Sequence, residues 1–157
     1  MSRKLSAKRE EELARLLLFL KVVYAELVER GHLFQEAFPL LLKGIAEVEE
    51  VHGRGALLNG TRMAVNDTLE LLTTLPMAEL EHLDSRLEEV GAPLLAQTVN
   101  ASTKRLAKLL RGRRLRSEVD YYLVKNAADD LTSGLSDSER EKAEQLMSGY
   151  EHEHRST

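Results

Sequence analysis

The 157-residue sequence predicts an all-α protein, a compact bundle of six to seven helices. Three observations carry that expectation. Leu, Ala and Glu are abundant while aromatic residues make up only 4% and prolines number three, a composition that favours helices over strands. Apolar residues recur at three- and four-residue spacing through most segments. No Asn-Gly turn flanked by alternating apolar residues offers a hairpin.

A chain of this length forms one ordinary domain with a core that needs no disulfide or metal, so residues 1–151 are expected to be a single helical domain and 152–157 a disordered tail. With no cysteine, disulfide scaffolds, thiolate metal sites and cysteine nucleophiles are excluded. The start, MSRKLSAKREEELARLLLFLKVVYA, puts basic residues before an apolar run as a secretory signal does. Glu10, Glu11 and Glu12 stand before the run and Lys21 interrupts it, which argues against a signal. The run also falls short of the roughly 20 apolar residues that span a bilayer. A soluble, cytoplasmic protein without membrane contact is the expectation, and the sequons at Asn59, Asn66 and Asn100 then carry no glycosylation meaning.

The first helix is predicted from Ser6 to Arg30, with Gly31 as its left-handed stop. Leu13, Leu16, Leu17, Leu20, Tyr24, Leu27 and Val28 make one stripe, and Leu18, Phe19 and Val22 widen it over most of the circumference. Such a helix lies at the centre of its own domain or in a homodimer interface, between which periodicity does not choose. Pro39 suits the first turn of a second helix carrying Leu41, Leu42, Ile45, Val48 and Val51 and ending at Gly53. The stretch HGRGALLNGT reads as a loop. Its glycines lack the third glycine of a dinucleotide fingerprint, and Thr61-Arg62 stands where a phosphate loop needs Lys-Ser/Thr.

A third helix is expected over 62–74, and a fourth over 77–90 opened by Pro76 and stopped by Gly91. Ser117 with Asp120 begins a helix through VDYYLVKNAADDL, for which a short strand near 119–124 is the alternative because Val119, Tyr121, Tyr122 and Val124 favour strands. Ser136 and Glu139 form a capping box for the last helix, 137–150.

Four of the five histidines follow a glutamate by three residues: Glu29/His32, Glu49/His52, Glu79/His82 and Glu151/His154. That spacing puts two ligands on one helical face, as in carboxylate metal bundles. His82, however, falls away from the Leu80, Leu83 and Leu87 stripe toward solvent, His32 lies across a helix-breaking glycine, and His154 sits in the tail. No metal, no cofactor and no catalytic constellation is therefore assigned.

Charge is distributed unevenly. Residues 91–103 carry none, whereas 104–116 hold seven Lys/Arg and no Asp or Glu in a chain of net charge -4. Pro93 to Thr98, a break at Val99-Asn100-Ala101, and Ser102 to Arg111 together resemble a helix-turn-helix DNA-binding motif over about residues 92–112. Ala96 is small, as close helix crossing requires. Asn100 stands where the motif has glycine, as the next most tolerant residue for a left-handed turn. Leu95, Val99, Ala101, Leu106 and Leu109 take its inward positions, and Ser102 is a good N-cap. The resemblance implies that double-stranded DNA is the partner and that Thr103, Lys104, Lys108 and Arg111 face the major groove while Arg113, Arg114 and Arg116 touch phosphates. One uninterrupted amphipathic helix over 93–111 fits the same residues, and its cations would then be free to pair with acids of the chain itself. The corresponding functional alternative is a helical module that binds another protein.

Overall fold

The protein is described here by a computed structural model, which covers residues 4–129 and 134–155. It is all-α: among the described residues there are six helical elements and no strand. These are α1 (Ala7–Glu29), α2 (Ala37–Leu72), α3 (Met77–Glu89), α4 (Leu95–Leu110), α5 (Glu118–Asp129) and α6 (Asp137–Arg155). Packing divides the chain into two compact units, Met1–Val99 and Asn100–Thr157, where length alone led to the expectation of one domain.

In the first unit α1 is central. Ser6 caps it by accepting from the Arg9 amide, and the helix stops before Gly31, whose φ of 81° is left-handed. Phe19, Leu20, Val23 and Leu27 are buried against Val65 and Leu72 of α2 and Leu83 and Leu87 of α3. Leu16, Leu18, Val22 and Tyr24 pack on the same cluster, so the unusual breadth of the apolar surface is explained inside the unit. Burying one such side chain is worth about 1.5–3 kcal/mol.

α2 is two helices joined at one residue. Gly53 has φ 86° and ψ 179°, a conformation nearly confined to glycine, and helical geometry resumes at Arg54. Leu41, before the break, packs on the cluster of Phe19 to Leu27, whereas Ile45 and Val48 pack with Leu13. After it, Leu57 and Leu58 sit with Leu13, and Val65 and Leu72 rejoin the Phe19 to Leu27 cluster. The chain thus runs back along α1, reverses at Gly53 and returns. Gly53 does end the second helix as expected, but the predicted loop after it is helical. Leu57, Leu58 and Thr61 gain burial there, and Gly55 and Gly60 are tolerated on the way.

Four arginines bind this unit together through carboxylates: Arg30 with Glu79, Arg54 with Glu10 and Glu49, Arg62 with Glu12, and Arg86 with Glu26 and Glu89.

The second unit has its own core of Leu115, Val124, Ala143 and Leu146, lined by Leu106, Leu109, Leu110, Tyr121, Met147 and Tyr150. Residues 118–129 are helical, so the alternative strand near 119–124 is not formed. Val119, Leu123, Val124 and Ala127 share the buried side of α5 at helical spacing, which alternation would have separated. Ser136 and Glu139 make the reciprocal capping box, each amide donating to the other's side chain at 3.1 and 3.0 Å. α6 continues to Arg155, beyond the expected tail boundary at 152. Tyr150 stacks on His154 with ring centroids 3.9 Å apart, and Tyr121 donates its hydroxyl to Glu151. That hydrogen bond, with burial, pushes the Tyr121 hydroxyl up to about 12.

Candidate nucleic-acid interface

The expected turn at Val99-Asn100-Ala101 is absent. Leu95–Leu110 is one α-helix, and among the described residues only glycines take positive φ, so Asn100 is not left-handed. The two-helix arrangement inferred for 93–111 is therefore not formed. Asn costs a helix only about half a kilocalorie per mole relative to Ala. Here the helix is held at both ends: Leu94 and Leu95 pack in the first unit, and Leu106, Leu109 and Leu110 pack in the second. The Leu95 amide donates to Asp84 Oδ1 at 2.9 Å, and the turn that precedes α4 lies at Gly91, with φ 71°.

A continuous helix changes which side chains lie together. At 100° per residue Lys104 and Lys108 lie about 40° apart on α4, and Arg111 is the first residue past its end. All three are exposed, and exposed Ala101 and Ala107 flank them. Thr103 is exposed too but lies about 100° round from Lys104 and has an interaction partner of its own.

Past α4 the chain turns tightly: the Arg111 amide donates to the Lys108 carbonyl and the Gly112 amide to the Leu109 carbonyl. A Cβ at Gly112 would lie 3.3 Å from that Leu109 oxygen, which is why glycine suits the turn. Arg113, Arg114 and Arg116 are exposed, whereas Leu115 between them is 1% exposed in the core. Ser117 then caps α5, its hydroxyl accepting from the Asp120 amide at 3.2 Å.

Within the basic run, and among the described residues, only Arg105 has an internal carboxylate partner. Its Nη2 and Nε donate to Asp120 Oδ1 at 2.7 and 3.1 Å. Lys104, Lys108, Arg111, Arg113, Arg114 and Arg116 make no ion pair among the described residues. Among the described residues, neutralisation by the unit's own acids, the outcome that would have silenced the segment, thus reaches one cation of seven.

The Glu-x-x-His pairs are engaged elsewhere. Glu79 binds Arg30, with His32 Nε2 at 3.8 Å; Glu49 binds Arg54; Glu151 accepts from Tyr121. His82 does not point away to solvent as helical phase suggested, since its Nε2 lies 2.9 Å from Oε2 of the buried Glu26, whose Oε1 accepts from Arg86 at 2.7 Å. Burial pushes the Glu26 carboxyl up, but hydrogen bonds from His82 and Arg86 outweigh it and hold the group below its ordinary 4.5. Periodicity missed this cluster because His82 and Arg86 line the edge of α3 beside its apolar stripe, and only packing on α1 brings Glu26 there. Among the described residues no three His, Asp or Glu side chains are placed to hold a metal ion. Nor is any helix of them long and apolar enough to cross a membrane.

Comparison with protein-family models, with curated proteins and with solved structures finds no match to this chain. The fold and the surface define an all-α protein with an exposed, unneutralised basic face.

Proposed function

We propose that the chain binds double-stranded DNA through the basic face of its second unit. The observation that carries this is the set of six exposed cations with no ion pair among the described residues, Lys104 and Lys108 on one face of α4 and Arg111, Arg113, Arg114 and Arg116 in the turn that follows. Lys104, Lys108 and Arg111 present a ridge to the groove and its walls, and Arg113, Arg114 and Arg116 meet phosphates alongside. The binding energy comes mainly from release of condensed counterions, a source that needs cations free of protein carboxylates. An amphipathic helix anchored by Leu106, Leu109 and Leu110 is a rigid support for such contacts, and it replaces the two-helix device.

Fluorescence anisotropy with a random duplex at low and moderate salt tests the reading. Binding should weaken with salt at a slope of about 4 to 5 in log Kd against log salt, given up to six contacts. Replacing Lys104, Lys108 and Arg111 together by Ala should remove about half of that slope and weaken binding at least about tenfold. A wild-type chain that does not bind at low salt sinks the proposal.

A further inference from the structure

Arg105 stands apart from the six cations around it, because Asp120 cancels its charge and it adds little to the potential of the surface. What the pair does is mechanical. It ties the middle of the basic half of α4 to the first turn of α5 and so brackets residues 111–117. Inside that bracket the chain is pinned three more times: by the tight turn at Gly112, by Leu115 buried in the core, and by the Ser117 cap on the Asp120 amide. With Leu115 held inward, its neighbours Arg114 and Arg116 are both turned outward. An untethered arginine loop would lose backbone freedom on meeting phosphates, a cost that a loop already pinned in place avoids.

Resting on the DNA-binding reading, we infer that Asp120, a buried acid paired with one cation of the basic run, is a positioning residue. Through Arg105 it presets Arg113, Arg114 and Arg116 in register with Lys104, Lys108 and Arg111, so that helix and turn engage one duplex backbone as a single surface.

Two variants that change net charge in opposite directions decide the matter. Asp120→Ala raises the charge by one and Arg105→Ala lowers it by one, and both remove the donor–acceptor pair that makes the clamp. Against a random duplex both should bind about threefold to tenfold more weakly, with a salt slope shallower by about 1 to 2 because fewer phosphates are met together. Amide exchange over residues 112–117 should quicken in both. The proposal is overturned if Asp120→Ala tightens binding while Arg105→Ala weakens it, since net charge alone would then govern, or if both bind as the wild type does. Should either single variant unfold, the pair Arg105→Ala with Asp120→Ala keeps net charge, leaves no unpaired charge and removes the tether. Loss of affinity there upholds the positioning role, and wild-type affinity overturns it. Failure of the underlying reading looks different, because the wild type itself would not bind and both proposals would fall together.

Discussion

Among the described residues, most arginines of the first unit are paired with carboxylates across helices, whereas most of those in one short run of the second are not. In residues 1–99, eleven Lys/Arg face sixteen Asp/Glu, and Arg30, Arg54, Arg62 and Arg86 are each spent on a carboxylate of another helix or turn. In residues 100–157 the balance is eleven to ten, yet six cations of one short run are exposed and make no ion pair among the described residues. Sequence balance therefore does not determine where charge is neutralised. The acids of α1 and α3 sit on edges that meet cations as the helices pack, whereas Lys104, Lys108 and Arg111 lie opposite the apolar stripe of α4 that faces the unit's core. Internal pairing holds a structure together, and external clustering is available to a ligand.

That contrast can be broken at several depths. The largest effect belongs to the apolar core that both uses of charge depend on. Phe19→Ala should destabilise the first unit by about 3–5 kcal/mol, read as a shift in urea midpoint with faster amide exchange in α1 to α3. A smaller loss follows from removing an internal partner. Glu26→Gln leaves His82 and Arg86 without their carboxylate and should cost about 1–3 kcal/mol, toward the lower end because Arg86 is half exposed and regains water.

The same group gives a pH signature. Glu26 titrates lower folded than unfolded, so between those two values the unfolded chain binds more protons and stability rises with pH. Its contribution is complete above the ordinary 4.5 and is lost as pH falls through the folded value. Urea midpoints measured from pH 6 downward should therefore fall less steeply in Glu26→Gln than in the wild type. An identical slope in both would remove Glu26 from the acid response. The smallest effect is expected where the cations are unpaired: Lys104, Lys108 and Arg111 changed together to Ala should alter stability by less than about 0.5 kcal/mol, even as duplex affinity collapses. A large loss of stability in that variant would show that these side chains serve the fold after all.

Much of the fold was legible because it rests on local chemistry. Ser6, Gly31, Gly53, Gly91 and the Ser136/Glu139 box mark helix boundaries through backbone rules that act within four residues. The basic run and its apolar underside were legible for the same reason. What failed was long-range. The helix through Asn100 is secured by residues five or more positions away on either side, and the helix through Gly55 and Gly60 by Leu57, Leu58 and Thr61 packing inward. His82 was misplaced because its partner lies 56 residues away on another helix. The pairing of Arg105 with Asp120, 15 residues apart, had no sequence signal beyond opposite charge.

Gly53 carries a consequence for the shape this sequence is able to adopt. A chain that reverses at one residue has no loop to absorb strain, so the choice between hairpin and rod rests on a single dihedral pair. Given helical angles there, the 36 residues of α2 would form one straight rod of about 54 Å. Its two halves would part, stripping Ile45, Val48, Leu57 and Leu58 from Leu13 and leaving an open apolar seam. Such a seam is closed most cheaply by the matching segment of another copy, so a residue that forced helical angles at position 53 would favour exchange of arms between copies.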